Sequence, residues 1–274
     1  MAIITITRGL HSGGEEVAQA IADRIGARCV SNEVLREAAQ KCGVSEAKVE
    51  GAFDKSPTFW ERMTESSRIY VAYVQATLAE WAKDDNLVYH GNAGQELLRE
   101  IPHVLKVRLM YPIEARIQTI MQKFKFTREQ AVRYVEQIDD DRTRRMLQLH
   151  SVDWRDSRRY DVTFNIDQLT AEHVVDIILG LVKQPEFTLT EARRGAFNDF
   201  LIKTRVYALL VKSLVGRLNR ITVAVRDGVV RLDGMLTSSG DFVGEIAGQV
   251  RRLEGVKRVD NHIVMEFLNQ DWNI

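Results

Sequence analysis

The stretch Ile3–Ala27 reads "IITITRGLHSGGEEVAQAIADRIGA", and the order of its parts decides the fold. Residues 2–7 alternate and are β-branched, which predicts a buried first strand. From Gly14 to Ile25, Val17, Ala18, Ala20, Ile21, Ala22 and Ile25 recur at helical spacing, and Gly26 is a helix stop. A strand, a small-residue loop and a helix in that order resemble a phosphate-binding loop. Glycines there let main-chain N–H groups close on phosphate oxygens, and the helix N-terminus adds partial positive charge. The usual pattern GxxxxGK[ST] places a lysine and a hydroxyl at its end. Here glycine or glutamate stands at the lysine position, and the hydroxyl position falls on Glu16. Glu15 and Glu16 suit the helix dipole and repel a phosphate. Arg8 is the replacement cation at the strand end, with Ser12, Gly13 and Gly14 as the small phosphate-facing residues. The competing reading is that Gly13–Gly14 only permit a tight strand-to-helix turn.

The rest of the chain continues the alternation. "ARCV" predicts a short strand, and "SNEVLREAAQKCG" a helix capped by Ser31 or Asn32 and ended by Gly43. "VSEAKVEGAF" reads as a further helix. Pro57 to about Asp84 carries apolar residues at helical spacing. "NLVYHGN" and "VLKVRLMYP" read as strands, Ile113–Lys123 and Thr127–Leu149 as helices, "YDVTFNI" as a strand and Ala171–Val182 as a helix. Such βα alternation predicts an α/β fold, an open, mostly parallel sheet with helices on both faces. Its ligands belong at the carboxyl ends of the strands. Composition changes near "KQPEFTLTEARRG", so the expected division is a first domain over 1–183, a linker over 184–196 and a second domain over 197–268. In the second part, helix 197–216 precedes two strands joined at Asp227–Gly228, a strong hairpin signal. A helix over Phe242–Leu253 and a last strand complete a small α+β module of order αββαβ.

Composition narrows the function. Apolar residues make up 45% of 274, enough for a sizeable core, and 38 basic residues balance 38 acidic ones. No global field then favours nucleic acid or an anionic membrane. Cys29 and Cys42 lie outside metal-type spacings, and the six histidines form no ligand pair. The start has too short an apolar run for a signal peptide, and no stretch suits a membrane helix. A cytoplasmic protein is expected.

Taken together, "ITRGLHSGGEEVA", "SNEVLREAAQKCGVSEAKVE", "VYHGNAGQELLREIPHVLKVRLMYPIEARI", "DDDRTRRM" and "DWRDSRRYDVTFN" resemble segments of the cytidylate-kinase-like family of P-loop proteins. The family's first loop also lacks the lysine, and Arg8 matches its arginine. The family's Gly-Arg-Gly turn is here Gly91-Asn92-Ala93. The resemblance implies a P-loop kinase-like sheet and ATP with Mg²⁺ as cofactors, with no metal ligand identified. It also implies CMP or dCMP as acceptor, Gly91 and Asn92 facing that acceptor, and Arg142 and Arg144 as lid arginines with a catalytic role. "ITVAVRDGVVRLDGMLTS" and "LEGVKRVDNHIV" resemble a BON domain, a non-catalytic module linked to phospholipid or other ligand binding. A homo-oligomer is a further expectation, and no nucleic acid is expected.

Two functions stay open at this level. One is an ATP-dependent phosphotransferase. The other is a nucleotide sensor or interaction scaffold that keeps the fold without turnover. For the cluster Arg142, Arg144, Arg145, Arg155, Arg158 and Arg159, the alternative to a phosphate lid is a solvated face paired with Asp139–Asp141, Asp153 and Asp156. Trp60, Tyr70, Tyr73 and Trp81 read as core or subunit contact before base stacking. His11 and His90 read as hydrogen-bonded fillers before catalysts.

Overall fold

The structure, a computed structural model, describes residues 2–9, 13–43, 64–214, 221–237 and 242–266. The helix expected at "VSEAKVEGAF", the start of the segment from Pro57, Trp60, His11 and Ser12 lie outside the described residues.

Strand β1 (Ala2–Arg8) sits at the centre of a parallel sheet. It pairs on one side with β3 (Asn86–His90), which pairs with β2 (Arg28–Val30). On the other side it pairs with β4 (Val104–Met110), which pairs with β5 (Val162–Asn165). The order is β2-β3-β1-β4-β5. Both faces are covered, which is why every residue from Ala2 to Thr7 is buried. On one face Ala2, Ile4, Ile6, Leu105 and Val107 pack with helices α1 (Gly14–Ile25) and α7 (Ala171–Leu181). On the other, Ile3, Leu87, Tyr89 and Val104 pack with α2 (Glu33–Cys42) and α3 (Thr64–Ala82). Tyr70 and, less deeply, Tyr73 and Trp81 of α3 belong to this second face, so their role there is packing.

Helix α4 (Gly94–Leu97) follows β3, and α5 (Ile113–Phe124) follows β4. Helix α6 (Arg128–His150) starts at Thr127, which forms the expected capping box with Gln130. At α2 the expectation differs. Asn32 makes no side-chain cap. The Glu33 carboxylate instead accepts from the Ser31 N–H at 2.7 Å.

Helix α8 (Glu191–Ser213) begins six residues before the expected start, on a Thr190 cap. Its first half buries Phe197, Phe200 and Leu201 against the α2–α3 face, and its second half buries Ile202, Val206 and Leu210 against a small sheet. That sheet has the order β6-β7-β8 (Ile221–Arg226, Val229–Thr237, Arg258–Glu266), with α9 (Phe242–Arg251) crossing between the last two. The order αββαβ is therefore present. The hairpin turns at Asp227 and Gly228, both at positive φ, as a type I′ turn requires. Asp199 of α8 accepts from both turn amides, at 2.7 and 2.8 Å.

Candidate active site

The carboxyl ends of β1, β3 and β4 meet at one edge of the first sheet, with Ile6 opposite His90 and Arg8 opposite Leu109. Helix α1 starts immediately beyond. Gly13 occupies its N-cap in the left-handed region (φ 71°), with no side-chain cap. The Glu16 N–H donates to the Gly13 oxygen at 3.1 Å, while the N–H groups of Gly14 and Glu15 have no acceptor within the helix and can meet an anion. Gly14 is required by contact. A Cβ there would stand 2.4 Å from Cδ of Arg8 and 3.3 Å from a methyl of Leu109. The Arg8 stem therefore crosses the helix start, and its guanidinium lies beside the first turn of α1. Nη2 of Arg8 stands 3.4 Å from Nδ1 of His90 and 3.9 Å from the Glu15 carboxylate.

Burial and the Arg8 charge both lower the His90 pKa, with Glu15 and Glu33 opposing them. A neutral imidazole can accept from Arg8, which fits the hydrogen-bonded role expected of His90. Burial also lowers the Arg8 pKa, against the attraction of Glu15, and the group stays protonated.

Arg142 of α6 is only 7% exposed. Its Nη1 donates to the Arg8 main-chain oxygen, and its guanidinium lies 4.1 Å from the Trp154 ring centroid. Burial pushes its pKa down to about 10, so it remains a cation, with its Nε–H lacking an acceptor. Arg144 is on another face of the helix, 59% exposed and paired with Asp141. The two arginines expected to act together are thus separated, as residues two apart on a helix must be. Arg155 and Arg158 pair with Asp153 and Asp156, as the solvated-face reading has it. Arg159 reaches the buried Glu96 at 3.5 Å. Arg145 makes no hydrogen bond or ion pair among the described residues.

Gly91 and Asn92 form the turn after β3. The Tyr89 hydroxyl donates to the Asn92 main-chain oxygen at 3.0 Å. A Cβ on Gly91 would overlap that hydroxyl at 2.4 Å, so the turn is moulded on Tyr89. Ala93 follows in the left-handed region. Beside this turn a cleft of about 90 Å³ opens between α2, α3, α4 and α6.

Several contributors were not singled out from the sequence. Arg116 of α5 holds Asp139 through two hydrogen bonds, at 2.7 and 2.8 Å, and its guanidinium would stand 3.1 Å from a Cβ on Gly9. Thr7 donates to Gln95 at 2.8 Å, fixing α4 to the end of β1. Arg108 lies over Trp154 and donates to the Arg155 main-chain oxygen. None of these stands in a spacing that marks it.

For magnesium the described residues are a poor fit. The Thr7 hydroxyl is committed to Gln95. Asp139 is committed to Arg116. No group of three His, Cys, Asp or Glu gathers to hold a metal among the described residues. Neither Cys29 nor Cys42 forms a disulfide among the described residues. No described helix is long and apolar enough to cross a membrane.

Comparison with known proteins agrees with this architecture. A cytidylate kinase of Methanobrevibacter smithii is 24% identical over 183 residues, covering 66% of this chain and 98% of its own. An uncharacterized protein from Eubacterium ventriosum is similar in structure, with a TM-score of 0.51 and 19% identity over 66% of this chain and 97% of that one. A gluconokinase from Sinorhizobium meliloti has a TM-score of 0.42 at 16% identity, over 66% and 92%. The fold is a kinase-like, nucleotide-binding α/β fold. The model of the cytidylate kinase-like family matches residues 3–168, and the chain belongs to that family.

Proposed function

We propose that the chain is a nucleoside-triphosphate-dependent phosphotransferase, with the triphosphate on the α1 N-terminus and the acceptor in the cleft beside Gly91–Asn92. The observation that carries this is the packing of Arg8 across Gly14. It sets a guanidinium beside uncapped main-chain N–H groups, where the usual lysine is missing. Phosphoryl transfer needs positioning and positive charge more than covalent chemistry from the protein. The amides of Gly13 and Gly14, with Ser12, hold phosphate oxygens. Arg8 grips them with a planar fork. Arg142 adds charge from beneath the strand end, and Arg144 is the lid residue. ATP is the donor, and magnesium arrives on its phosphates, an ion that keeps most of its waters. CMP and dCMP are the acceptors the family membership suggests first. Residues 197–268 are the BON-like ligand or partner module, carried by a kinase-like domain over 1–183.

The test is thermal shift of the full chain with ATP, CMP and dCMP, alone and together, with and without Mg²⁺, followed by an assay for ADP. Binding at a hundred times Kd stabilises by about 2.7 kcal/mol. Joint stabilisation with ADP release supports the transferase. Stabilisation without ADP marks a nucleotide sensor instead. Arg8→Ala abolishes the ATP shift if the altered loop works as described, and an unchanged shift overturns it.

A further inference from the structure

Helix α8 meets α3 along a seam that does not close. Phe200, Lys203, Thr204, Tyr207 and Val211 fall on one stripe of α8 by helical spacing. All five line a cavity of about 290 Å³, with Val71, Ala72 and Gln75 on the α3 side. Glu100 and Leu149 complete its wall. Phe197, Phe200 and Leu201 bury part of the seam, but Ala72 and Thr204 bring little volume to the rest. Protein interiors keep few voids larger than a water molecule, because the atoms lining a void lose dispersion contacts. Small-molecule sites favour such junctions, in volumes from about 300 Å³ upward.

The wall selects the chemistry of an occupant. Lys203 holds both oxygens of the Glu100 carboxylate, at 2.8 and 2.9 Å. The two charges cancel, and among the described residues the wall carries no other charge. An ion entering the cavity would be desolvated without a free counter-charge, which is costly. The uncharged polar groups are less fully used. Gln75 donates one N–H to the Leu97 main-chain oxygen at 2.9 Å and keeps its carbonyl oxygen as an acceptor. Tyr207 is half-buried, and its hydroxyl makes no hydrogen bond among the described residues. The remaining wall is apolar, with the Phe200 ring among it.

We propose that this cavity binds an uncharged aromatic molecule of one or two rings that carries a hydroxyl group. The ring lies among Val71, Phe200 and Val211, where aromatic and aliphatic side chains suit it. Its hydroxyl bonds to Tyr207 and Gln75. Because the wall draws on both α3 and α8, the occupant strengthens the docking of α8 on the larger sheet's helices. Val71 and Leu149 also line the acceptor cleft, so the variants that test the site lie elsewhere on its wall. Binding here requires no phosphotransferase activity.

The test is equilibrium dialysis of the full chain, without nucleotide, against β-naphthol, β-naphthoate and β-naphthylmethylammonium. β-Naphthol is expected to bind one-to-one, at least tenfold more tightly than either ion. Ala72→Leu fills the cavity from α3 with a good helix former. It is expected to weaken β-naphthol at least tenfold while the thermal midpoint holds or rises. Tyr207→Phe removes a single oxygen and is expected to weaken β-naphthol about fivefold, the worth of one hydrogen bond. Either ion binding as tightly as β-naphthol overturns the assignment, as does normal β-naphthol binding by a folded Ala72→Leu chain. Should Ala72→Leu fail to fold, Tyr207→Phe decides, and unchanged β-naphthol binding in that variant overturns the assignment too.

Discussion

Arg142 donates a hydrogen bond to the main-chain oxygen of Arg8, joining the middle of helix α6 to the end of the central strand across 134 positions of sequence. The bond ties the end of β1 to the middle of α6. It also explains why a residue expected to swing as a lid is buried. Trp154 stacks on its guanidinium and Arg8 occupies its donor, so its charge is fixed at the strand end before any ligand arrives. Such preorganisation lets a charge act without reorienting during the reaction.

Replacing Arg142 should therefore cost both stability and binding. Arg142→Met keeps the stem and loses a charged hydrogen bond, worth about 1.5–3 kcal/mol. An unfolding free energy lowered by about 2 kcal/mol in urea titration and at least tenfold weaker ATP binding are expected. Arg144→Ala, at an exposed position paired among the described residues with Asp141 alone, should cost less stability than Arg142→Met. Equal effects of the two substitutions on stability would contradict the separation seen here.

Gly14→Ala tests the packing of Arg8 independently. The added methyl would meet the Arg8 side chain at 2.4 Å, and its backbone is not at positive φ. Overpacking of this kind costs about 1–3 kcal/mol, reduced here by the helix preference of alanine. The protein should fold with a loss of about 1 kcal/mol by urea denaturation. ATP binding should fall at least tenfold, because Arg8 is pushed from the start of α1. Unimpaired ATP binding in the variant would show that Arg8 need not lie where it does.

Much of this was legible in the sequence, for identifiable reasons. Strand β1, helix α1 and the Asp227–Gly228 hairpin each rest on local rules of periodicity and turn chemistry, and those rules operate within a few residues. The site is less legible because its partners are distant. Arg116 and Asp139, or Thr7 and Gln95, meet only after β1, β4 and the helices between them are stacked. Even inside one short segment the arginines differ. Arg155 finds Asp153 two residues away, as charge patterning suggests, while Arg142 finds a carbonyl in β1 and Arg145 makes no hydrogen bond or ion pair among the described residues. Helix α8 starts earlier than its own second-sheet periodicity indicates for a related reason. Phe197 and Phe200 belong to the first core, so the helix had to begin ahead of the second.

The histidines predict a pH dependence of stability. His90 and His150 both have pKa values below the ordinary 6.5, chiefly through burial, with Arg8 and Arg99 adding to it. The unfolded chain therefore binds more protons than the folded one as pH drops below about 6.5, and stability falls with it. Above the unfolded value the contribution is fully present. Urea midpoints measured from pH 7.5 to 5 should decline, and His90→Gln with His150→Gln should flatten part of the decline. An identical slope in the double variant would assign the loss to other groups.

Arg205 offers the last test, of how the small sheet is held to the larger one. It lies on α8 between two carboxylates from opposite sides. Its Nε donates to Glu80 of α3, and its Nη2 donates to Glu254, beyond α9, at 2.8 Å. Its Nη1 donates to the Glu254 main-chain oxygen at 2.9 Å. The group is 17% exposed, so it is less screened than a surface pair, whose worth is about 0–1 kcal/mol. Removing it leaves Glu80 facing α8 without its cation and frees the turn after α9. Arg205→Ala should lower the unfolding free energy from urea titration by about 1–2 kcal/mol. It should also broaden the thermal transition, as the two cores on α8 begin to melt apart. Glu254→Gln retains the main-chain contact and should cost less than half as much. A single sharp transition in Arg205→Ala, at the temperature of the parent chain, would mean that the apolar face of α8 alone couples the two parts.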